Sequence, residues 1–334
     1  PPSRPYYIHP IQTKPRKRFA ALLKDTRTTR GLEGRRYLAG LSFGASSTVL
    51  AQILNATSER HATQKALSSF EFVIVHVATG DEKAAEEELE KYRAAYPHVQ
   101  FECVHLRRAL SLKSIDWTVL PKVETIEGLF DALPTVTSQT DVLRLLIRHV
   151  LIDVARERDC STLLLGHSTT ALAALTLSGV ANGRGFSVPL EVNDGMHDVC
   201  LYEDGKEVSR MQFPIYYPLR EVFKNELFEY MKLLPEEFKG LEKTPETGSV
   251  VSHRDVSIDE VMQRYFEGVE GQFSGIVANV VRTTGKLDRV TGAQSCRLCG
   301  MALDETGEER WAGELGEATD GGHLCYGCRR SVNG

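Results

Sequence analysis

The feature that most limits what this chain can fold into is a repeated exchange between two hydrophobic periods. Residues 37–42 form a short apolar run, and the stretch after them places Val49, Leu50, Ile53 and Leu54 on one helical face. Residues 70–77 (FEFVIVHV) are β-branched and aromatic, as in a buried strand, and residues 81–95 read as an acidic helix with Glu87 and Lys91 one turn apart. Residues 99–105 alternate again. A strand–helix–strand–helix–strand rhythm predicts a parallel sheet with crossover helices. The rhythm continues with a long helix up to Val154, for which Ser138 and Asp141 suggest a capping box, a strand over 161–166 and a helix over 169–177. Further strand candidates are 188–192 and 210–215, separated by a polar excursion over 193–207, and 218–233 reads as helical. The fold class expected is α/β, a doubly wound parallel sheet, with a C-terminal helical region and a zinc-binding tail.

Charge divides the chain more sharply than its net value of -5 implies. Residues 1–40 carry ten Lys or Arg against Asp25 and Glu33, a net of +8, which leaves 30 basic against 43 acidic residues elsewhere. A basic arm on an acidic body is the electrostatic form of a polyanion-binding segment, or of a solvated end. No run approaches the ~18 apolar residues of a membrane span, and the first residues hold no apolar signal core. The expectation is a soluble, cytoplasmic protein without membrane contact.

The strongest chemical signal is Cys296-x-x-Cys299 followed, after 25 residues, by Cys325-x-x-Cys328. Two such knuckles aim four thiolates at one point and suit a closed, structural tetrahedral Zn²⁺ site. His323 is an alternative ligand, and four free thiols are the alternative to a site. Metal would then stabilise a tail with little core of its own. Cys103, Cys160 and Cys200 read as small buried or bystander thiols.

The second signal is the turn Ser42-Phe43-Gly44-Ala45-Ser46-Ser47 between strand and helix, a potential anion site of backbone N–H groups. A second turn, Gly166-His167-Ser168-Thr169-Thr170-Ala171, follows the fourth strand and would lie on the same carboxyl edge, where doubly wound sheets bind ligands.

These turns carry a resemblance. The first resembles the pyrophosphatase-loop motif Ser-Gly-Gly-x-Asp-Ser of the adenine-nucleotide α-hydrolase superfamily. The second resembles the Gly-His-x-x-Asp-Asp segment of its tRNA-thiolating members. With FEFVIVHV, Asn182-Gly183-Arg184-Gly185, Tyr217-Pro218-Leu219-Arg220 and the terminal knuckles, the pattern from about residue 20 onward is similar to the cytoplasmic tRNA 2-thiolation protein 2 family. The resemblance implies a tRNA-binding subunit needed for 2-thiolation of the wobble uridine in tRNAs for Lys, Gln and Glu. It implies a heterodimer with a catalytic thiolation paralogue, and sulfur supplied by a thiocarboxylated ubiquitin-related modifier.

Departures from the motifs imply a degenerate nucleotide loop (Ser42, Gly44, Ser46, Ser47, His167, Thr170, Ala171) and no catalytic residue. Phe43 replaces a glycine, putting a ring where backbone must approach phosphate. Ser46 stands for an aspartate, and Thr170 and Ala171 for the acidic pair, which puts ATP/Mg²⁺ binding in doubt. Residues 134–139 lack the central cysteines of active relatives, so no iron–sulfur cluster is expected. Arg16, Lys17, Arg18, Arg35 and Arg36 are the expected phosphate contacts; Arg184, between two glycines, is either another or part of a flexible loop. An active adenylating sulfurtransferase and a purely structural dimerisation scaffold are the alternatives. The expected division is a basic arm (1–36), an α/β domain (37–234), a helical extension and linker (235–290) and a zinc-knuckle tail (291–334). Because the family carries a cysteine-containing segment ahead of the arm, Pro1 is expected to lie inside a longer chain.

Overall fold

Strand alternation sorts the core into two layers. In the computed structural model, which describes residues 4–25, 35–63, 70–238, 240–243, 256–289, 294–303 and 323–333, β1 (Arg35–Leu41) turns Tyr37, Ala39 and Leu41 to one face and Leu38 to the other. β2 (Phe70–Ala78) does the same with Phe72 and Ile74 against Val73, Val75 and Val77. Together with β3 (Gln100–His105), β4 (Leu163–Leu164), β5 (Gly195–Glu203) and β6 (Lys206–Tyr216), they form a sheet of order β3-β2-β1-β4-β6-β5. All pairs are parallel except β5–β6. Strand order reverses between β1 and β4, the topological switch point of a doubly wound sheet.

On one face lie α1 (Arg4–Asp25), α2 (Ala45–Thr63), α3 (Glu82–Ala95) and, later in the chain, α8 (Lys224–Lys232). The other face carries α4 (Ile126–Ala132), α5 (Val136–Glu157), α6 (Thr169–Ala181), the short α7 (Val188–Val192), α9 (Ile258–Thr284) and α10 (Tyr326–Asn333). The cysteine knuckles belong to this second layer: Leu298, Met301, Leu324 and Val332 are buried in the same cluster as Val142, Leu172 and Ile215. Among the described residues no helix is long and apolar enough to cross a membrane.

Several elements differ from the sequence expectation. Residues 188–192 are helical, because Pro189 sits in the first turn where its missing N–H is harmless. The polar excursion over 193–207 is β5 and the start of β6, an antiparallel hairpin closed by Asp204-Gly205, both at positive φ (48° and 73°). That Asp-Gly pair, with His197, Val199 and Tyr202 buried on β5, is a hairpin signal present in the sequence. The cap of α5 is Thr135, whose hydroxyl accepts from Ser138 N at 3.0 Å; Asp141 lies inside the helix, fully buried. Lys91 pairs with Glu88 rather than Glu87 (2.9 Å). The expected C-terminal helical extension is one long helix, α9, with a kink at Phe273. The basic arm contributes α1, docked through Ile11, Phe19 and Leu22; Arg27 and Arg30 lie outside the described residues.

Candidate nucleotide loops and metal centre

The polar groups of the turn after β1 satisfy one another. Phe43 has φ 60°, the left-handed region that a glycine would occupy freely. Its ring does not lie over the loop, contrary to the sequence expectation. It is buried, 4.1 Å from the His76 ring and 5.4 Å from that of Tyr92, with Lys243 Nζ 5.1 Å from its centroid. Burying an aromatic ring against other rings outweighs the ~1–2 kcal/mol of an unfavourable φ. Within the loop, Ser47 Oγ accepts from Ser42 N at 3.2 Å and donates to the Gly44 carbonyl at 3.0 Å.

The turn after β4 is drawn into the protein as well. Gly166 passes so close to the first loop that a Cβ would stand 3.0 Å from Ser47 Cα. Ser168 caps α6, accepting from Ala171 N at 3.2 Å. Thr169 Oγ1 donates to the Arg220 carbonyl at 2.8 Å. Thr170 Oγ1 donates to Glu270 of α9 and accepts from Lys224 N at 3.1 Å, while the other Glu270 oxygen takes Asn225 N at 2.7 Å. A buried carboxylate therefore does stand beside Thr170, but it binds the N-terminus of α8, where the helix dipole favours it. His167 packs edge-on to Tyr217 (5.4 Å), and burial, with Arg144 nearby, pushes its pKa down to about 4. Sequence reasoning missed Glu270, since it comes from a helix a hundred residues away.

The cysteine pairs converge. Cys296, Cys299, Cys325 and Cys328 place their sulfurs within 4.8 Å of one another, and Cys299 and Cys325 are 3.8 Å apart. A tetrahedron with metal–sulfur bonds of ~2.3 Å has edges of ~3.8 Å, so the donor set can hold one metal ion. Hydrogen bonds from the Cys296, Cys299 and Cys328 thiols hold Cys325 well below the ordinary thiol range, while those of Cys299 with Cys296, Cys325 and Cys328, and then burial, push Cys299 well up. The first knuckle is a tight turn, with Gly300 N donating to Cys296 O at 2.8 Å and Cys296 N to Met301 O at 2.7 Å. His323 contributes its carbonyl to Arg297 N (3.0 Å).

Three anchors tie the knuckles to the α/β body. His149 of α5 donates Nε2–H to the Leu298 carbonyl (2.8 Å) and accepts at Nδ1 from Ser114 Oγ (3.0 Å). Burial and Arg148 push its pKa down to about 4, so the imidazole is neutral at pH 7. Arg297 NH1 reaches Asp116 and the Gly205 carbonyl at the hairpin tip, both at 2.7 Å. Arg184 is the third. Its side chain is 1% exposed, donating to Asp141 and, at 3.3 Å, to Cys328 Sγ. That burial removes Arg184 from the set of surface phosphate contacts and shows its turn to be packed rather than flexible.

The remaining basic candidates separate. Arg18 pairs with Asp194 and Glu221, and Arg36 with Glu71 (2.6 Å). Arg35 begins β1, half-buried. Lys17 is exposed. Arg16 lines a cavity of about 240 Å³ between α1 and α2, with Arg60 across it. Among the described residues neither Arg16 nor Arg60 has a carboxylate partner, and burial with Arg60 nearby lowers the Arg16 pKa. The other cysteines stay clear of the cluster: Cys160 and Cys200 are buried, Cys103 half-buried, and burial raises the pKa of each.

A doubly wound sheet with two strand-to-helix loops at its switch point is the architecture of adenine-nucleotide α-hydrolase-like proteins. The U34-tRNA thiolase NcsA from Methanococcus maripaludis, solved with its 4Fe–4S cluster, shares this fold. It superimposes with a TM-score of 0.53 at 16% identity, over 94% of this chain and 90% of its own. A sequence profile for cytoplasmic tRNA 2-thiolation protein 2 matches residues 257–317, from the start of α9 through the first knuckle. Proteins of that name from Phaeosphaeria nodorum and Pyrenophora tritici-repentis are 34% and 32% identical, each over 89% of this chain and 81% and 82% of their own lengths. The chain belongs to the cytoplasmic tRNA 2-thiolation protein 2 family.

Proposed function

We propose that this chain is a non-catalytic, tRNA-contacting subunit of a cytoplasmic tRNA 2-thiolation enzyme. Family membership over most of the chain supports the role in thiolation. The observation that carries the non-catalytic reading is the second loop. Thr170 and Ala171 stand where carboxylates would be needed, and the Thr170 hydroxyl is engaged by Glu270 and Lys224 N. A site that positions Mg²⁺ and phosphate needs carboxylates free to ligate, because such positioning accounts for several kcal/mol of a barrier. Adenylation of the wobble uridine in tRNAs for Lys, Gln and Glu then falls to a related catalytic partner, and sulfur arrives through the complex from a ubiquitin-related modifier. The four thiolates hold one structural Zn²⁺, with Cys296, Cys299, Cys325 and Cys328 filling its coordination sphere. The close sulfur spacing favours a single ion over an iron–sulfur cluster, whose thiolates sit on different irons.

Lys17, Arg16 and Arg60 are the cations of α1 and α2 best placed to meet tRNA phosphates. The test is tRNA-dependent pyrophosphate release from ATP. None is expected from the isolated chain, and release is expected when the partner is added. Release by the chain alone overturns the assignment.

A further inference from the structure

The turn Asn182-Gly183-Arg184-Gly185 belongs to neither nucleotide loop, yet it reaches the cysteine cluster itself, through Arg184 and Cys328 Sγ. Its backbone is fixed on both sides: Arg184 N donates to Gly179 O at 2.8 Å, and the Arg184 carbonyl accepts from Ser187 N and Val188 N at 2.9 and 3.1 Å. The guanidinium then spans two partners, Asp141 of α5 through NH1 and Cys328 Sγ through NH2. Asp141 is held in turn, one oxygen taking Arg144 at 3.0 Å and the other Ser331 Oγ of α10 at 2.7 Å. Helix α10 is shaped to this arrangement. A Cβ at Gly327 would fall on the Arg184 side chain and lie 2.9 Å from the Asn182 carbonyl, and a Cβ at Gly183 would fall on the Tyr326 ring.

Four thiolates around a divalent cation carry a formal net charge of two minus. Buried beside apolar residues such as Leu298 and Leu324, that charge is unfavourable unless a cation and N–H donors face it. Arg184 is the buried guanidinium whose N–H points at one of the four sulfurs, and an N–H bond to a ligating thiolate both lowers its energy and fixes its direction. We infer that Arg184 is a positioning residue of the metal centre, its guanidinium supplying counter-charge and a hydrogen bond to the Cys328 thiolate while Asp141 and Ser331 hold it in register. Metal loading thereby locks α10 onto α5 and the α6–α7 turn. The inference rests on the reading of the cysteines as a metal site, and its test separates the two.

The full chain is compared with Arg184→Gln, Arg184→Lys and Ser331→Ala. Zinc content is measured first, then zinc transfer to the chelator 4-(2-pyridylazo)resorcinol, then the thiolate-to-metal charge-transfer band of the cobalt(II)-loaded proteins. Arg184→Gln is expected to lose roughly 10–100-fold in metal affinity. Its cobalt band should move to longer wavelength, since a thiolate without its N–H donor gives up electron density more readily. Arg184→Lys keeps the charge and should recover part of both effects, a graded response that lost packing alone would not produce. Ser331→Ala, which leaves the guanidinium in place, should fall a few-fold in affinity in the same direction, and it carries the test if the Arg184 variants fail to fold. Unchanged affinity and an unmoved band in the folded variants overturn the role of Arg184. A wild-type chain that takes up neither zinc nor cobalt overturns the metal reading itself, and this inference with it.

Discussion

The switch-point loops and the cysteine centre are both places where polar atoms gather, but they gather in opposite senses. In the loops, Ser47, Ser168, Thr169 and Thr170 turn their hydroxyls onto neighbouring backbone or onto Glu270, so the donors and acceptors close on one another. In the knuckles the four sulfurs turn toward a common point, and the Arg184 guanidinium, held by Asp141 on its far side, turns one N–H toward them. The loops behave as structural joints in a fold built for ligands. The tail is the part of the molecule whose polar groups are arranged so that they could hold an ion.

The contrast breaks first at the metal. Chelation, or Cys296→Ser, should destabilise the chain by at least ~3 kcal/mol, because residues of the main core, not only of the tail, pack against the knuckles. A thermal midpoint that does not fall under chelation would put the tail outside the cooperative core. Next comes acid. The folded-state pKa of His149, about 4, lies below the ordinary 6.5, so protons load the unfolded chain first. Its contribution is complete above about pH 6.5 and is lost as pH falls toward 4, an effect of about 3 kcal/mol for a fully buried imidazole. Urea midpoints at pH 7 and pH 4.5 check this, and His149→Gln should flatten the difference.

On the loop side, Phe43→Gly relieves the left-handed backbone but removes a buried ring, so a net loss of about 2–3 kcal/mol is expected in urea unfolding. A gain in stability instead would show that the loop still behaves as an open nucleotide turn. The smallest effect on folding should come from Arg16→Ala with Lys17→Ala, within ~0.5 kcal/mol. Their signature lies in binding, where the salt dependence of tRNA affinity should fall by about two contacts' worth.

Much of the architecture is legible because β1 and β2 carry apolar runs and β3 alternates, and because both cysteine pairs declare themselves by spacing. The second half of β6 is legible over 210–215, whereas β5 and the hairpin turn are masked by their polar exposed face, although Asp204-Gly205 marks the turn. The candidate site was less legible. Arg184, Asp141 and Glu270 act through partners between 43 and 190 residues away, and no local pattern encodes such a meeting. Phe43 was misjudged for a related reason: the sequence tells that the ring is large, and only packing against His76 and Tyr92 tells where it goes.

Asp141 also sets an order in time. Its carboxylate is completed by Arg184, 43 residues later, and by Ser331, 190 residues later. During synthesis α5 therefore emerges with an acid that has Arg144 beside it but not yet the Arg184 and Ser331 that complete its burial. One layer of the sheet, lacking Leu324, Cys328 and Val332, must remain open until those residues leave the ribosome. The nascent chain holds an unfinished hydrophobic face over the interval between α5 and residues 324–332, and contacts that close so long a loop are slow to form. Closure of this layer therefore waits for the second cysteine pair, made long after the helix it completes, and that interval is one in which a chaperone can act.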